Sequence, residues 1–288
     1  MTCPRLVNNF ACNESLNIKC HGRIKRSYPI HRKYWKHSCN YDKALKRYIL
    51  ANKGGANKDL IKNSPKLARQ RENMNDFKGC SKWASQLKKS LEKIDHLFAG
   101  YYFPKLVAMG KFVQKQDETG ERGYRSIVSS KFSRLLPSLN FNYLHPFDQV
   151  FSPPYELLFS EDKTTVTLKL PEFKSFSRIY WPERYESYRI SLVITQQPDY
   201  VWNSHDREYE PVIKNLITAS ESAFSDWFPR SAVPRDIILS ASFAKPALQK
   251  PGTIVVVAIG VEISSYQLNA SVLNATGNGT MKIVECYV

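Results

Sequence analysis

The chain has 288 residues, 42% hydrophobic and 12% aromatic, which is enough to bury a core and excludes a wholly disordered polypeptide. Its formal charge of +16 is unevenly placed: residues 1–135 hold 29 Lys and Arg against 10 Asp and Glu, whereas residues 136–288 hold 13 against 16. Among 12 glycines none forms a Gly-x-Ser-x-Gly elbow, a Gly-x-x-x-x-Gly-Lys phosphate loop or a dinucleotide fingerprint, so these routes to catalysis are excluded.

The opening residues Met1–Phe10 contain no apolar signal core, and no stretch approaches the roughly 18 apolar residues of a membrane helix. The expectation is a cytoplasmic protein with no membrane span. In that compartment the six cysteines (Cys3, Cys12, Cys20, Cys39, Cys80 and Cys286) stay reduced, and the Asn-X-Ser/Thr triplets at Asn13, Asn269, Asn274 and Asn278 meet no glycosylation machinery.

Residues 1–60 read as a basic, aromatic-rich irregular segment, because neither helical nor strand period is sustained there. Arg23, Lys25, Arg26, Arg32, Lys33 and Lys36 crowd around Tyr34 and Trp35, with Tyr28, Tyr41 and Tyr48 nearby. Cations neutralise phosphates and release counterions, and Tyr and Trp faces stack on unpaired bases. These eight residues are the candidate nucleic-acid contacts. Aromatics in a basic strand pair can equally pack inward while the lysines reach out to water. Cys12, Cys20, His21, His31, His37 and Cys39 are zinc-type ligands in one region. They lack the tight Cys-x-x-Cys or His-x(3–5)-His pairs of a structural site, so no metal is expected. The Asn52–Asn57 stretch, with its Gly54-Gly55 pair, is a turn or linker.

Residues 61–136 read as a helical bundle. Phe77, Cys80, Ala84, Leu87, Leu91, Ile94 and Phe98 step by three or four and draw one stripe, with Lys82, Lys88, Lys89 and Lys93 off it. Asp76 or Ser81 is a candidate N-cap and Gly100 a stop. A second helix is expected over Pro104–Gln116, and a shorter third carries Ile127, Val128, Phe132 and Leu135 before Pro137.

After Pro137 the texture turns to strands: Lys163–Leu170, Arg189–Thr195, Ile237–Phe243, Thr253–Gly260 and Met281–Val288, separated by Pro, Gly or Asn clusters. With no long helical pattern between them, residues 137–288 are expected to form an antiparallel sandwich of about seven strands. Residues 218–231 read as a short helix or loop. The fold class is therefore α+β, a small basic helical part followed by an antiparallel all-β sandwich. The His205–Glu210 loop sets an imidazole beside three carboxylates, but Pro198-Asp199 and Pro211 around it mark an exposed turn rather than a catalytic cleft.

The run Lys62–Phe77, with its Pro65-x-x-x-Arg69-x-Arg71-Glu72-Asn73 pattern, resembles a segment of uncharacterised proteins found in Bacteroidota. In that family the pattern precedes a Glu-Phe pair and a helix of small and basic residues. The Asp117–Arg125 stretch, containing Glu121-Arg122-Gly123, and the closing Met281–Val284 are similar to the family's later text. This chain departs from it at Gly22-Arg23-Ile24, where a glycine-rich start and short hairpin are usual, and at Cys80-Ser81-Lys82-Trp83, where a Gly-Lys pair is usual. The resemblance implies the two-part layout and carries no activity, cofactor or active site.

The sequence thus points to a non-catalytic interaction or assembly protein without cofactor. Its partners would be a polyanion, nucleic acid first, and a protein partner or a second copy meeting the β part. A nucleic-acid-binding, capsid-like protein is the alternative, with an enzyme of unknown type behind both.

Overall fold

The structure, a computed structural model, describes residues 37–42, 47–52, 57–137, 139–213, 220–243, 251–265 and 278–288. The chain divides into two compact units, residues 1–57 and 58–288. In the first, β1 (His37–Asp42) and β2 (Arg47–Asn52) form an antiparallel hairpin with Tyr41 opposite Tyr48.

The second unit opens with α1 (Lys58–Asn63), a single 3-10 turn begun by Pro65, and α2 (Ala68–Ser90). Proline fits a first helical turn because its missing N–H has no partner to lose there. The expected stripe is present, with Cys80, Ala84, Leu87, Leu91 and Ile94 all buried. Its first member differs: Phe77 is 60% exposed. Asp76 also differs, lying buried inside the helix rather than capping it. The helix begins upstream because Ala68-Arg69-Gln70-Arg71-Glu72 are all strong helix formers.

A 3-10 segment (Glu92–Leu97) continues the stripe, and Gly100, at φ 71, turns the chain into α3 (Tyr102–Gln114). In place of a third α-helix the chain forms a 3-10 segment, Ser129–Leu135, broken at Phe132, where φ is −124.

The β region comprises β3 (Glu156–Phe159), β4 (Thr165–Leu170), β5 (Ser187–Pro198), β6 (Tyr200–Asn203), β7 (Glu208–Pro211), β8 (Ser220–Phe224), β9 (Phe228–Pro229), β10 (Ile237–Ser242), β11 (Thr253–Ser264) and β12 (Gly279–Tyr287). One sheet runs β10-β4-β3, a second β12-β11-β5-β8 with β9 also on β5, and β6-β7 is a separate hairpin. Every pairing is antiparallel. The chain is α+β, as expected. The helix or loop anticipated over 218–231 is instead two short strands, β8 and β9. Their alternation is too brief to read, but β5 is long enough to pair with both.

Burial follows position. β10 alternates buried and exposed, so one of its faces meets water, whereas all twelve residues of β11 are buried. A strand buried on both faces reads as a continuous apolar run, and Ile254–Ile259 is one. One face of the five-stranded sheet supplies Val193, Val256, Ala258 and Met281 to a core shared with Trp83, Leu87, Leu97 and Leu106 of the helical layer. Its other face supplies Leu192, Ile194, Val257 and Ile259 to a core shared with Val166, Leu168 and Leu239 of the three-stranded sheet.

Candidate functional site

The eight sequence candidates, Arg23, Lys25, Arg26, Arg32, Lys33, Tyr34, Trp35 and Lys36, lie outside the described residues, as do Cys12, Cys20, His21 and His31. His37 and Cys39 fall in β1. No group of three or more His, Cys, Asp or Glu suited to a metal ion occurs among the described residues.

Of the His205–Glu210 stretch expected as an exposed turn, residues 205–207 form the tip of the β6-β7 hairpin, whereas Glu208–Glu210 belong to β7, where Tyr209 is buried. The Asn203 side chain accepts from the His205 and Asp206 amides at 2.9 and 3.3 Å and donates to Asp206 Oδ2 and Glu210 Oε2. Glu208 pairs with Lys78 at 3.2 Å and Lys82 at 2.8 Å, and hydrogen bonds from these two ammoniums hold its carboxyl below the ordinary value. A groove of about 580 Å³ lies between this hairpin and α2, lined by Lys78, Lys82, Lys89, Tyr200 and Glu208 among others. Sequence reasoning placed Lys82 and Lys89 off the buried stripe but not beside the hairpin and did not single out Lys78, since nothing in the i, i+4 spacing of Lys78 and Lys82 names their partner.

Three polar clusters sit on the helix-facing side of the five-stranded sheet or beside it. In the first, the Lys111 ammonium donates to Asp76 Oδ2 at 3.1 Å and to Gln114 Oε1 at 3.2 Å. Gln114 Oε1 also accepts from the Cys80 thiol at 3.3 Å. Gln114 Nε2 donates to the carbonyls of Asp76 and Arg125, and the Tyr209 hydroxyl donates to the Gly123 carbonyl. Burial pushes the Cys80 thiol up to about 12 and raises the Tyr209 phenol as well, so both stay protonated at neutral pH. A thiol in that state is a weak nucleophile. This cluster joins α2, α3 and β7.

In the second, buried Asp199 accepts from the Ser129 hydroxyl and the Ser130 amide, each at 2.9 Å, and from the Ser130 hydroxyl. Its carboxylate is fully engaged in holding the 129–130 turn.

The third sets Glu262 of β11 opposite Arg189 of β5. Arg189 reaches Glu262 Oε2 at 2.7 and 2.9 Å and His96 Nε2 reaches the same oxygen at 3.2 Å. Burial draws the Glu262 carboxyl upward, but hydrogen bonds from His96 and Arg189 outweigh it and hold the group below its ordinary value. The guanidinium of Arg189 also lies over Phe224 and Trp227, at 4.7 and 5.0 Å from the ring centroids.

No family model, curated protein or solved structure matches the chain.

Proposed function

We propose that the protein is a non-catalytic interaction or assembly protein whose basic N-terminal half holds polyanions, nucleic acid first among them. The carrying observation is the placement of charge, 29 cations against 10 acids in residues 1–135. Part of this excess is neutralised from the β region, since Lys78 and Lys82 pair with Glu208 and Lys93 pairs with Glu221. Lys58, Lys62, Lys66 and Arg69 at the helix start, and Lys105 and Lys115 on or beside α3, enter no ion pair among the described residues. Arg23, Lys25, Arg26, Arg32, Lys33 and Lys36 are assigned to phosphate contact, with Tyr34 and Trp35 as stacking surfaces.

In this reading the rear half is a folded wall, its three- and five-stranded sheets the two layers of a sandwich. The protein works in the cytoplasm, where free thiols such as Cys80 and Cys286 stay reduced. Self-association through a sheet edge is the companion reading. It is favoured by β3, which among the described residues pairs with β4 alone and leaves Leu158 and Phe159 37% and 41% exposed.

Full-length protein on immobilised heparin tests the reading. Retention should fall steeply with salt, and the triple variant Arg23→Glu, Lys25→Glu, Arg32→Glu should elute earlier at unchanged melting temperature. A chain that ignores heparin, DNA and RNA at about 50 mM salt would sink it. Light scattering addresses assembly: apparent mass should rise with concentration.

A further inference from the structure

The outward side of the helical layer carries a feature that the buried clusters do not absorb. On α2, Gln70, Met74, Phe77, Ser85 and Lys88 recur at helical spacing and are all exposed. On and beside α3, Tyr101, Lys105, Ala108, Phe112 and Lys115 recur in the same way. Apolar side chains stand open on both stripes: Met74 is 54%, Phe77 60%, Tyr101 53% and Phe112 51% exposed.

Water-facing helix positions are ordinarily filled by charged or polar residues with both signs interspersed. Here both stripes lack carboxylates. The acids of α2 are Glu72, paired with Arg122 at 3.7 Å, and Asp76, buried and paired with Lys111; α3 has none. The Lys111–Asp76 pair sets the two helices level at this point, and each exposed phenylalanine directly follows one member of the pair, Phe77 after Asp76 and Phe112 after Lys111. Lys105 and Lys115, on and beside α3, enter no ion pair among the described residues, whereas Lys78, next to Phe77, pairs with Glu208.

We propose that this α2–α3 face binds single-stranded nucleic acid, Phe77 and Phe112 stacking on unpaired bases while the surrounding lysines contact phosphates. The proposal rests on the polyanion reading and deepens it by naming the ligand class. Charge complementarity supplies the occupant's sign: the exposed positions of the two stripes carry cations and no carboxylate. The open aromatic rings supply its form. A duplex keeps its base faces stacked internally and offers nothing to a phenylalanine ring, whereas every unpaired base presents a π-face.

The test uses full-length protein and fluorescent oligothymidylate of about 20 nucleotides, with a duplex of equal length and heparin as controls. The wild type should bind the single strand more tightly than the duplex. Phe77→Ala with Phe112→Ala should weaken single-strand binding about tenfold or more and leave heparin retention and melting temperature unchanged. Trp at both positions should restore the preference. Equal affinity for both strand forms, undiminished by the alanines, would overturn the face while leaving the polyanion reading intact. Absence of heparin retention would defeat the underlying reading itself. Capture of anionic phospholipid vesicles but not oligonucleotide, lost in the alanine variant, would give the face to a lipid surface and overturn the proposal.

Discussion

The two faces of the five-stranded sheet are built on different terms. Toward the three-stranded sheet, β5 and β11 present Tyr188, Ile190, Leu192, Ile194, Val255, Val257, Ile259 and Val261 to an apolar partner surface. Toward the helices, the same two strands present Arg189, Ser191, Gln197 and Glu262 alongside Val193, Val256 and Ala258. The first face is held by area removed from water. The second also depends on specific polar partners, such as the bond from Gln197 Nε2 to the Trp83 carbonyl at 3.1 Å. Ser191, Gln197 and Glu262 are buried as the apolar residues of the other face are, so depth alone does not decide how tolerant a core is. A void on the apolar face loses contacts gradually, whereas a missing partner on the polar face leaves a group with nowhere to bond.

Substitutions can break or sharpen this contrast. The largest effect is expected from Trp83→Ala, which empties the largest fully buried side chain of the helix-facing core and removes the indole donor to Ser129, at about 3–5 kcal/mol in urea unfolding. Leu192→Ala, on the apolar face, should cost about 2–5 kcal/mol, and Leu192→Met under 1.5, because volume is what that face requires. Asp199→Ala should cost about 2–3 kcal/mol although it removes little area, since the Ser129 hydroxyl and Ser130 amide lose their acceptor. If Asp199→Leu proves neutral, the polar face is no more exacting than the other.

Acid supplies a finer probe. Because Glu262 is held below its ordinary value in the folded chain, its contribution is present above the unfolded value near 4.5 and fades as pH falls through the folded one. Urea midpoints measured from pH 6 downward should therefore converge for wild type and Glu262→Gln. The smallest effect belongs to the surface: Lys93→Ala, which breaks a half-exposed ion pair with Glu221, should shift stability by less than about 0.5 kcal/mol.

These contrasts bear on what the residues disclosed in advance. The α2 stripe and the β11 run were legible because each is long and strongly patterned. Phe77 was misread because spacing reports a face but not whether that face is covered at its end. β8 and β9 escaped because five and two residues are too few to show a period. The polar insertions of the helix-facing core were hidden for another reason: Gln114, Ser129 and Asp199 look like surface residues, and their partners lie up to 95 positions away. Of the candidate site, the charge asymmetry was plain from composition, and the residues chosen for it fall outside the described ones. The Lys78–Glu208 and Lys82–Glu208 pairs needed the hairpin to be placed against α2, which no local signal in the sequence does.

The contact of Leu97 with two glycines has a consequence for biosynthesis. A methyl group built on Gly260 would stand 2.8 Å from Leu97 and one on Gly279 2.5 Å from it, so this side chain of the helical layer seats on strands made long after it. A ribosome delivers Leu97 long before either glycine emerges, and the apolar stripe of α2 then has no sheet to lie on. Until β11 and β12 appear, the nascent helices expose Trp83, Leu87 and Leu91. The emerging chain should accordingly engage holding chaperones until β11 and β12 have emerged and should yield no protease-resistant fragment when truncated before residue 253.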